Sequence, residues 1–268
     1  MTGNNSPIGV FDSGIGGLSV ANAIYSLLPK ESIRYFADTG RVPYGPRSKE
    51  EIINFSQEIT QFLLDQGCKM IVVACNTATA AALPQLRADW PKIPFVGMEP
   101  AVKPAAQATR SGKVGVMATL STIQSERYEQ LMHRFAADVE ILENPCVGLV
   151  PLIEAGKLRH PETTQLLDRI VSPMLADEVD TLVLGCTHYP FILPVLRQLV
   201  GDSCQIIDPA PAVARQVARR LEQHQLSAGE NAEPDFAFYA SGAHAELTNF
   251  TTILFQILES PLGIDENR

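Results

Sequence analysis

Two cysteines at similar positions in the two halves of the chain are the residues best suited to chemistry. Cys75 follows the aliphatic residues 72–74, and Cys186 follows residues 183–185. Short aliphatic runs predict buried strands, and open α/β folds place ligands at the carboxyl ends of such strands. A thiol has a pKa of about 8.5, close enough to neutrality to act as an acid or a base. An inert core cysteine is the alternative for either residue alone, but the pair predicts a cleft with one thiol on each wall.

The residues beside each cysteine support this interpretation. Each thiol is expected where a strand leads into a helix, and a helix N-terminus lowers the pKa of a cysteine and makes its thiolate available. Asn76, Thr77 and Thr187 follow the cysteines and could bind carboxylates, although helix capping is the alternative. His188 comes two residues after Cys186, so it could exchange a proton with the second thiol.

A glycine-rich loop, residues 12–17, follows the first predicted strand and opens a helix. Backbone N–H groups in such a loop can hold an anion. The loop lacks the Lys-Ser/Thr ending of a phosphate-binding P-loop and does not fit the spacing of a dinucleotide-binding loop. Asp12 could orient a neighbouring group or bind an ammonium group, with an ordinary turn residue as the alternative.

Two more candidates have ordinary explanations on the sequence alone. Glu154 is followed by basic residues on a predicted helix, which favours a glutamate on the surface. Tyr44 and Gly45 lie in a loop with proline on both sides, which is typical of a simple turn.

Composition narrows the class of protein. The chain has 268 residues, 46% of them hydrophobic and 19% charged, which is typical of a globular protein. A net charge of −9 argues against nucleic acid as a main partner. Five cysteines without zinc-ligand spacing predict neither a disulfide framework nor a metal site. The sequence shows no secretory signal and no apolar run long enough to span a bilayer, so we expect a cytoplasmic protein that does not bind membranes.

Strand and helix patterns alternate, which favours a parallel sheet covered by helices. The predicted strands of the first half are residues 8–11, 33–37 and 70–74. A helix is expected over residues 18–28, and Ser48 with Glu51 forms a capping box that begins the next one.

The second half begins the pattern again. Residues 113–122 resemble the first strand and its loop. Chance similarity is the alternative, but we predict an α/β protein of two pseudo-symmetric lobes. Each lobe is a mainly parallel sheet flanked by helices, with the active site in the cleft between them. The first lobe would comprise residues 1–98 and 212–268, with a late strand at 236–239, and the second lobe residues 99–211.

Four segments together are similar to a known family. They are residues 11–17, 38–39 with 41–45, 73–78 and 184–190. The chain resembles the cofactor-independent aspartate/glutamate racemase family over nearly its whole length. The resemblance implies interconversion of L- and D-glutamate with no cofactor, supply of D-glutamate for peptidoglycan in the cell wall, and a homodimer.

The resemblance also implies roles for individual residues. Cys75 would remove the α-proton of D-glutamate and Cys186 that of L-glutamate. Asp12 would assist Cys75, His188 would assist Cys186, and Glu154 is a further candidate for assistance. The positions that match substrate contacts in the family are Asp12, Ser13, Tyr44, Gly45, Asn76, Thr77, Thr119, Thr122, Thr187 and His188.

Two thiols suit racemisation because a proton must leave one face of the α-carbon and return to the other. The same fold could instead serve a racemase for aspartate or another amino acid. A two-lobed protein that binds an anionic ligand without chemistry is a second alternative, and a dithiol redox protein is a third.

Overall fold

The computed structural model describes residues 3–242 as two parallel sheets with helices packed against them. The strands are β1 Ile8–Asp12, β2 Ile33–Ala37, β3 Met70–Val73, β4 Phe95–Gly97, β5 Lys113–Ala118, β6 Glu140–Asn144, β7 Thr181–Gly185, β8 Gln205–Ile207 and β9 Phe236–Ala240. The helices are α1 Leu18–Leu27, α2 Lys49–Asp65, α3 Asn76–Asp89, α4 Val102–Ala108, α5 Leu120–Ile123, α6 Glu126–Phe135, α7 Leu149–Glu154, α8 Pro161–Ala176, α9 Leu193–Val200 and α10 Ala210–Gln223.

The strand order confirms the predicted repeat. The first sheet runs β4-β3-β1-β2-β9 and the second runs β6-β5-β7-β8, with parallel pairing throughout the described strands. Reversed, the second sheet is β8-β7-β5-β6, which matches the order of the first four strands of the first sheet. β1 and β3 therefore correspond to β5 and β7, and each cysteine follows the same strand of its own sheet.

Two glycines at matching positions show how closely helices pack on these central strands. A Cβ on Gly9 of β1 would lie 2.8 Å from the side chain of Ile71 and 3.2 Å from Leu63 of α2. A Cβ on Gly115 of β5 would lie 2.5 Å from Leu182 and 2.9 Å from Met174 of α8. A side chain at either position would therefore force these neighbours to shift, because the interior around both strands is closely packed.

The predicted start of α2 is confirmed. The hydroxyl of Ser48 accepts a hydrogen bond from the N–H of Glu51, and the Glu51 carboxylate accepts one from the N–H of Ser48. Gly67 follows the helix with a φ of 77°, a conformation that glycine adopts without strain.

The chain crosses to the second sheet after β4 and returns after β8. The returning helix α10 packs on α1, and β9 then pairs with β2 at the edge of the first sheet, as predicted for the tail. The division into lobes at residues 98/99 and 211/212 stays a prediction, and its last part, residues 243–268, lies outside the described residues. Among residues 3–242, no helix combines the length and apolar character needed to cross a bilayer.

Candidate active site

Cys75 stands where β3 ends and α3 begins, as its sequence context predicted. It is the N-cap of α3, and its sulfur accepts a hydrogen bond from the N–H of Ala78 at 3.4 Å. On the other side, Sγ lies 3.8 Å from the hydroxyl oxygen of Ser13. The side chain is buried, with 5% of its surface exposed.

The predicted availability of the Cys75 thiolate is wrong for this structure. Burial, together with the nearby charge of Asp12, raises the pKa of Cys75 to about 12. The hydrogen bond from Ala78 lowers the pKa, as expected at a helix N-terminus, but burial outweighs it. Cys75 is therefore a neutral thiol at physiological pH, and it can donate a proton.

Asp12 ends β1 and is completely buried beside this thiol. Its carboxylate accepts hydrogen bonds from the N–H of Gly14 and the hydroxyl of Thr187, both at 3.0 Å. Burial raises the pKa of Asp12, although the positive charge of His188 and these two bonds act in the opposite direction. Because Thr187 follows β7, the Asp12–Thr187 bond joins the carboxyl edges of the two sheets.

Cys186 lies at the carboxyl end of β7 with His188 beside it. The sulfur is 3.6 Å from Nδ1 of His188, and both side chains are buried. The chain after Cys186 forms a 3₁₀ turn at Tyr189–Ile192 before α9 begins. The prediction that a helix starts directly after this cysteine is therefore wrong, because two prolines, Pro190 and Pro194, shape the turn and the start of α9.

Glu154 belongs to the site, which corrects the interpretation of its sequence context as a surface glutamate. Its Oε1 lies 2.5 Å from Nε2 of His188 and accepts a hydrogen bond from the N–H of Ile15 at 3.0 Å. α7 ends at this residue, so the carboxylate points toward the ring rather than along the basic segment that follows it.

The His188–Glu154 pair carries opposite charges. Burial lowers the pKa of His188, but its hydrogen bonds to Cys186 and Glu154 and their charges hold that pKa well above its ordinary value. For Glu154, burial raises the pKa, and the bond and charge of His188 more than offset this and lower it. A protonated imidazole beside a sulfur is the arrangement that activates thiols in enzymes.

A cluster of three threonine hydroxyls links the sheets on another side of the site. The Thr77 hydroxyl lies 2.9 Å from that of Thr119 and 3.4 Å from that of Thr122. Thr77 is in α3, whereas Thr119 and Thr122 follow β5, which brings these predicted residues together. Gly45 is also close, since a Cβ built on it would lie 3.7 Å from the Cβ of Thr119.

Asn76 and Tyr44 are both buried but differ in their partners. The side-chain oxygen and nitrogen of Asn76 are inaccessible and make no hydrogen bond to the part of the chain that is described. The Tyr44 hydroxyl donates to the carboxylate of Asp38, and burial and that carboxylate raise its pKa. Asn76 thus has a side-chain amide that the described residues leave unsatisfied, while Tyr44 packs in the core cluster that contains Cys75.

Sequence reasoning missed two side chains that hold the site together. The Ser19 hydroxyl lies 2.8 Å from the carbonyl oxygen of Gly16 and 3.2 Å from that of Thr187. The Tyr35 hydroxyl donates to the carbonyl oxygen of Gly14 at 2.7 Å. Ser19, just after the glycine-rich loop, was the available signal for the first, whereas Tyr35 lies on a different strand, β2, and gave none. In residues 3–242 no cluster of three or more histidine, cysteine or acidic side chains could hold a metal ion.

Comparisons with known proteins agree with this architecture. Residues 8–217 match the family model described as Asp/Glu/Hydantoin racemase. The chain is 54% identical to the glutamate racemase of Ectopseudomonas mendocina over 242 residues, which are 90% of this chain and 92% of that protein.

Solved structures lead to the same group. A glutamate racemase isoform from Bacillus anthracis superposes with a TM-score of 0.85 at 36% identity, covering 96% of this chain and 95% of the other. The Escherichia coli glutamate racemase, in complex with L-glutamate and the activator UDP-MurNAc-Ala, gives 0.84 at 33% identity, covering 94% and 95%.

Two matching parallel sheets, with a cysteine after the corresponding strand of each, define this protein as an isomerase of the amino-acid racemase class. The site joins those sheets through hydrogen bonds of Asp12, Ile15 and Thr77. The chain belongs to the Asp/Glu/Hydantoin racemase family.

Proposed function

We propose that this protein is a glutamate racemase that interconverts L- and D-glutamate by direct proton transfer through two cysteines. The observation that carries the proposal is the pair of free, buried thiols, Cys75 and Cys186, after corresponding strands of two joined sheets. Relatives 54% and 49% identical over at least 90% of this chain are named glutamate racemases. The related Escherichia coli enzyme was solved with L-glutamate bound.

In the direction from L- to D-glutamate, Cys186 acts as a thiolate and takes the α-proton. The C–H bond breaks, its electron pair stays on the α-carbon, and the proton forms the thiol of Cys186. The S–H bond of Cys75 then breaks as its proton forms a new C–H bond on the opposite face. Cys75 is left as the thiolate, and the reverse reaction uses the same groups in exchanged roles. The pKa of about 12 at Cys75 favours the neutral thiol that this direction needs.

His188 and Glu154 support the thiolate of Cys186. The protonated ring lies 3.6 Å from the sulfur, so its positive charge stabilises a negative sulfur. Glu154 orients the ring from its other nitrogen and keeps it protonated. Asp12 assists Cys75 differently. Its negative charge raises the pKa of that thiol, so the thiol keeps its proton until it transfers it to the carbanion.

The remaining residues bind the substrate and stabilise the carbanion. An α-proton beside a carboxylate is a very weak acid, so the developing charge requires fixed hydrogen-bond donors in a site that excludes water. Asn76 offers a buried side-chain amide without a partner among the described residues. We assign substrate contacts to it and to Asp12, Ser13, Tyr44, Gly45, Thr77, Thr119, Thr122, Thr187 and His188.

The substrate is tested by comparing amino acids with the purified protein and no added cofactor. We expect the circular dichroism of L-glutamate and of D-glutamate to decay to zero, while L-aspartate changes at least 100-fold more slowly. Faster turnover of aspartate than of glutamate would overturn the proposed substrate and keep the racemase class.

The proposed cellular role is supply of D-glutamate for peptidoglycan by a cytoplasmic homodimer. The support is the family to which the chain belongs. Expression in a bacterial strain that requires D-glutamate should restore growth without the supplement, and the Cys75→Ala variant should not. Light scattering should give about twice the 29.2 kDa mass of one chain. A monomer with full activity would contradict the dimer.

A further inference from the structure

Tyr35 is a fully buried residue of β2 whose hydroxyl lies against the glycine-rich loop. The hydroxyl donates a hydrogen bond to the carbonyl oxygen of Gly14 at 2.7 Å. A Cβ on Gly17 would lie 2.9 Å from the hydroxyl oxygen and 2.6 Å from Cβ of Asp12. One hydroxyl therefore bonds to the start of residues 14–17 and packs closely against their end.

The first part of this loop contacts the Cys75 side of the site. Ser13 lies beside the sulfur at 3.8 Å. The N–H of Gly14 donates to the carboxylate of Asp12 at 3.0 Å. A shift of Gly14 would therefore move the groups that surround Cys75.

The next two residues contact the other side. The N–H of Ile15 donates to Glu154 at 3.0 Å, although the two residues are 139 positions apart. A Cβ on Gly16 would collide with the ring of His188. The backbone of the loop thus lies directly against the pair that supports Cys186.

We propose that Tyr35 is a positioning residue, whose hydroxyl fixes the glycine-rich loop and so sets the spacing between the two thiol sides of the site. This inference rests on the proposed racemase function and adds a residue to it. Tyr35 acts through backbone atoms of Gly14 and Gly17, and racemisation is sensitive to their position because both proton transfers need aligned groups at once.

The charge state of Tyr35 suits this role. Burial, followed by the negative charges of Asp12 and Glu154, raises the pKa of Tyr35 well above its ordinary value. The hydroxyl therefore keeps its proton at neutral pH and can donate it to Gly14. Phenylalanine would preserve the ring and remove the hydrogen bond to Gly14 and the hydroxyl that packs against Gly17.

The test is Tyr35→Phe in the full chain. We expect kcat/KM to fall by roughly 10- to 100-fold, equally in both directions, because the equilibrium between enantiomers is unchanged. The primary isotope effect with α-deuterated L- and D-glutamate should rise, since proton transfer becomes slower relative to opening and product release. Loss of folded protein alone would lower the apparent kcat and leave both KM and the isotope effects unchanged.

Tyr239→Phe is the matched control. This residue of β9 belongs to the same sheet, and its hydroxyl bonds to Gln66 at 3.1 Å, away from the loop. The control should keep wild-type kinetics. A folded Tyr35→Phe protein with wild-type kcat/KM and isotope effects would overturn the inference.

A measurement on the wild-type protein covers the case in which Tyr35→Phe does not fold. Hydrogen exchange followed by mass spectrometry should show residues 14–17 protected as strongly as β2. Exchange as fast as in an exposed loop would contradict a fixed loop. If the wild-type protein racemises no glutamate, the proposed function fails, which is a separate result from an unaffected variant.

Discussion

At the scale of single residues, the two thiols have similar sequence contexts and unlike surroundings. Cys75 lies beside a buried carboxylate, Asp12, and its pKa is raised to about 12. Cys186 lies beside His188, whose pKa is held well above its ordinary value. The chemical difference comes from Asp12 and Glu154, which are remote in sequence from the cysteine that each one influences.

Glu154→Gln should shift the pH dependence of activity. The negative charge of Glu154 raises the pKa of His188, so removing it lowers that pKa. If the reaction requires a protonated His188, raising the pH should abolish activity at a lower pH in this variant than in the wild type. We expect the alkaline limb of kcat/KM for L-glutamate to move down by about one pH unit, measured by circular dichroism across a pH series.

Glu162→Gln is the control for this shift. Glu162 lies in the first turn of α8, is exposed and pairs with Lys157. Its charge is not among those that raise the pKa of His188. It should leave the pH profile unchanged. An alkaline limb that stays in place or moves upward in the Glu154→Gln protein would contradict the assigned role of His188.

The thiols of the folded protein should resist alkylation. All five cysteines are free and less than a tenth exposed. Burial raises the pKa to about 12 at Cys68, Cys75 and Cys146, and to about 11 at Cys204. At pH 7.5, mass spectrometry should find at most one iodoacetamide adduct per native chain when the denatured chain carries five. Rapid alkylation of Cys75 in the native protein would show that its thiolate is available after all.

At the scale of elements, local sequence patterns correctly predicted the helix starts and strands that depend on interactions between neighbouring residues. The capping box of Ser48 and Glu51 and the strand at 33–37 were correct because their signals lie within a few residues. The family resemblance named Glu154 as a candidate, but its contact with His188 could not be predicted from the residues around it. The role of Tyr35 could not be predicted either, because the partner of each residue is brought close only by the fold. The predicted lowering of the Cys75 pKa was wrong for the same reason. Burial by residues of distant segments raises that pKa more than the helix N-terminus lowers it.

A buried ion pair that no sequence pattern predicted stabilises the first sheet where β2 and β3 begin. Lys69, just before β3, lies 2.6 Å from Glu31, just before β2, and both are buried. Glu31 also accepts a hydrogen bond from the N–H of Ala228. The pair thereby anchors the segment that leads to β9.

Lys69→Ala should destabilise the protein strongly, because it leaves Glu31 buried without its counter-charge. We expect a loss of about 3–5 kcal/mol in the free energy of unfolding, measured by urea denaturation. The double variant Lys69→Met/Glu31→Leu should lose less, since neither charge remains.

Lys157→Ala serves as the matched control for this loss. It breaks the exposed pair with Glu162 and should cost less than about 1 kcal/mol. Equal effects of Lys69→Ala and Lys157→Ala would contradict the importance of the buried pair.

At the scale of the whole molecule, the site is closed between the sheets. Asp12 bonds to Thr187, Ile15 to Glu154, and Thr77 to Thr119, each across the boundary between the sheets. Glutamate can reach buried thiols only if these contacts open, so we expect each turnover to include opening and closure.

A disulfide across this boundary tests the opening directly. A Cβ on Gly45 would lie 3.7 Å from the Cβ of Thr119, within the range of natural disulfides. In Gly45→Cys/Thr119→Cys, oxidation should lower kcat/KM at least 100-fold, and dithiothreitol should restore the activity of the reduced double variant. The single variants should show no dependence on oxidation. A cross-linked protein as active as its reduced form would show that the sheets need not separate.

The central claim is that two thiols act on opposite faces of the substrate. The most direct measurement incubates the wild type and single cysteine variants with L-glutamate in deuterated water. Circular dichroism follows the loss of the L-enantiomer, and mass spectrometry follows the incorporation of α-deuterium. Cys204→Ala is the control, because the Cys204 thiol is buried just before β8. With the wild type and with this control, the glutamate should lose its ellipticity as deuterium enters its α-position. Cys75→Ala and Cys186→Ala should each racemise at least 1,000-fold more slowly, because one proton transfer has lost its partner. Racemisation at the wild-type rate by either variant would contradict the two-thiol mechanism.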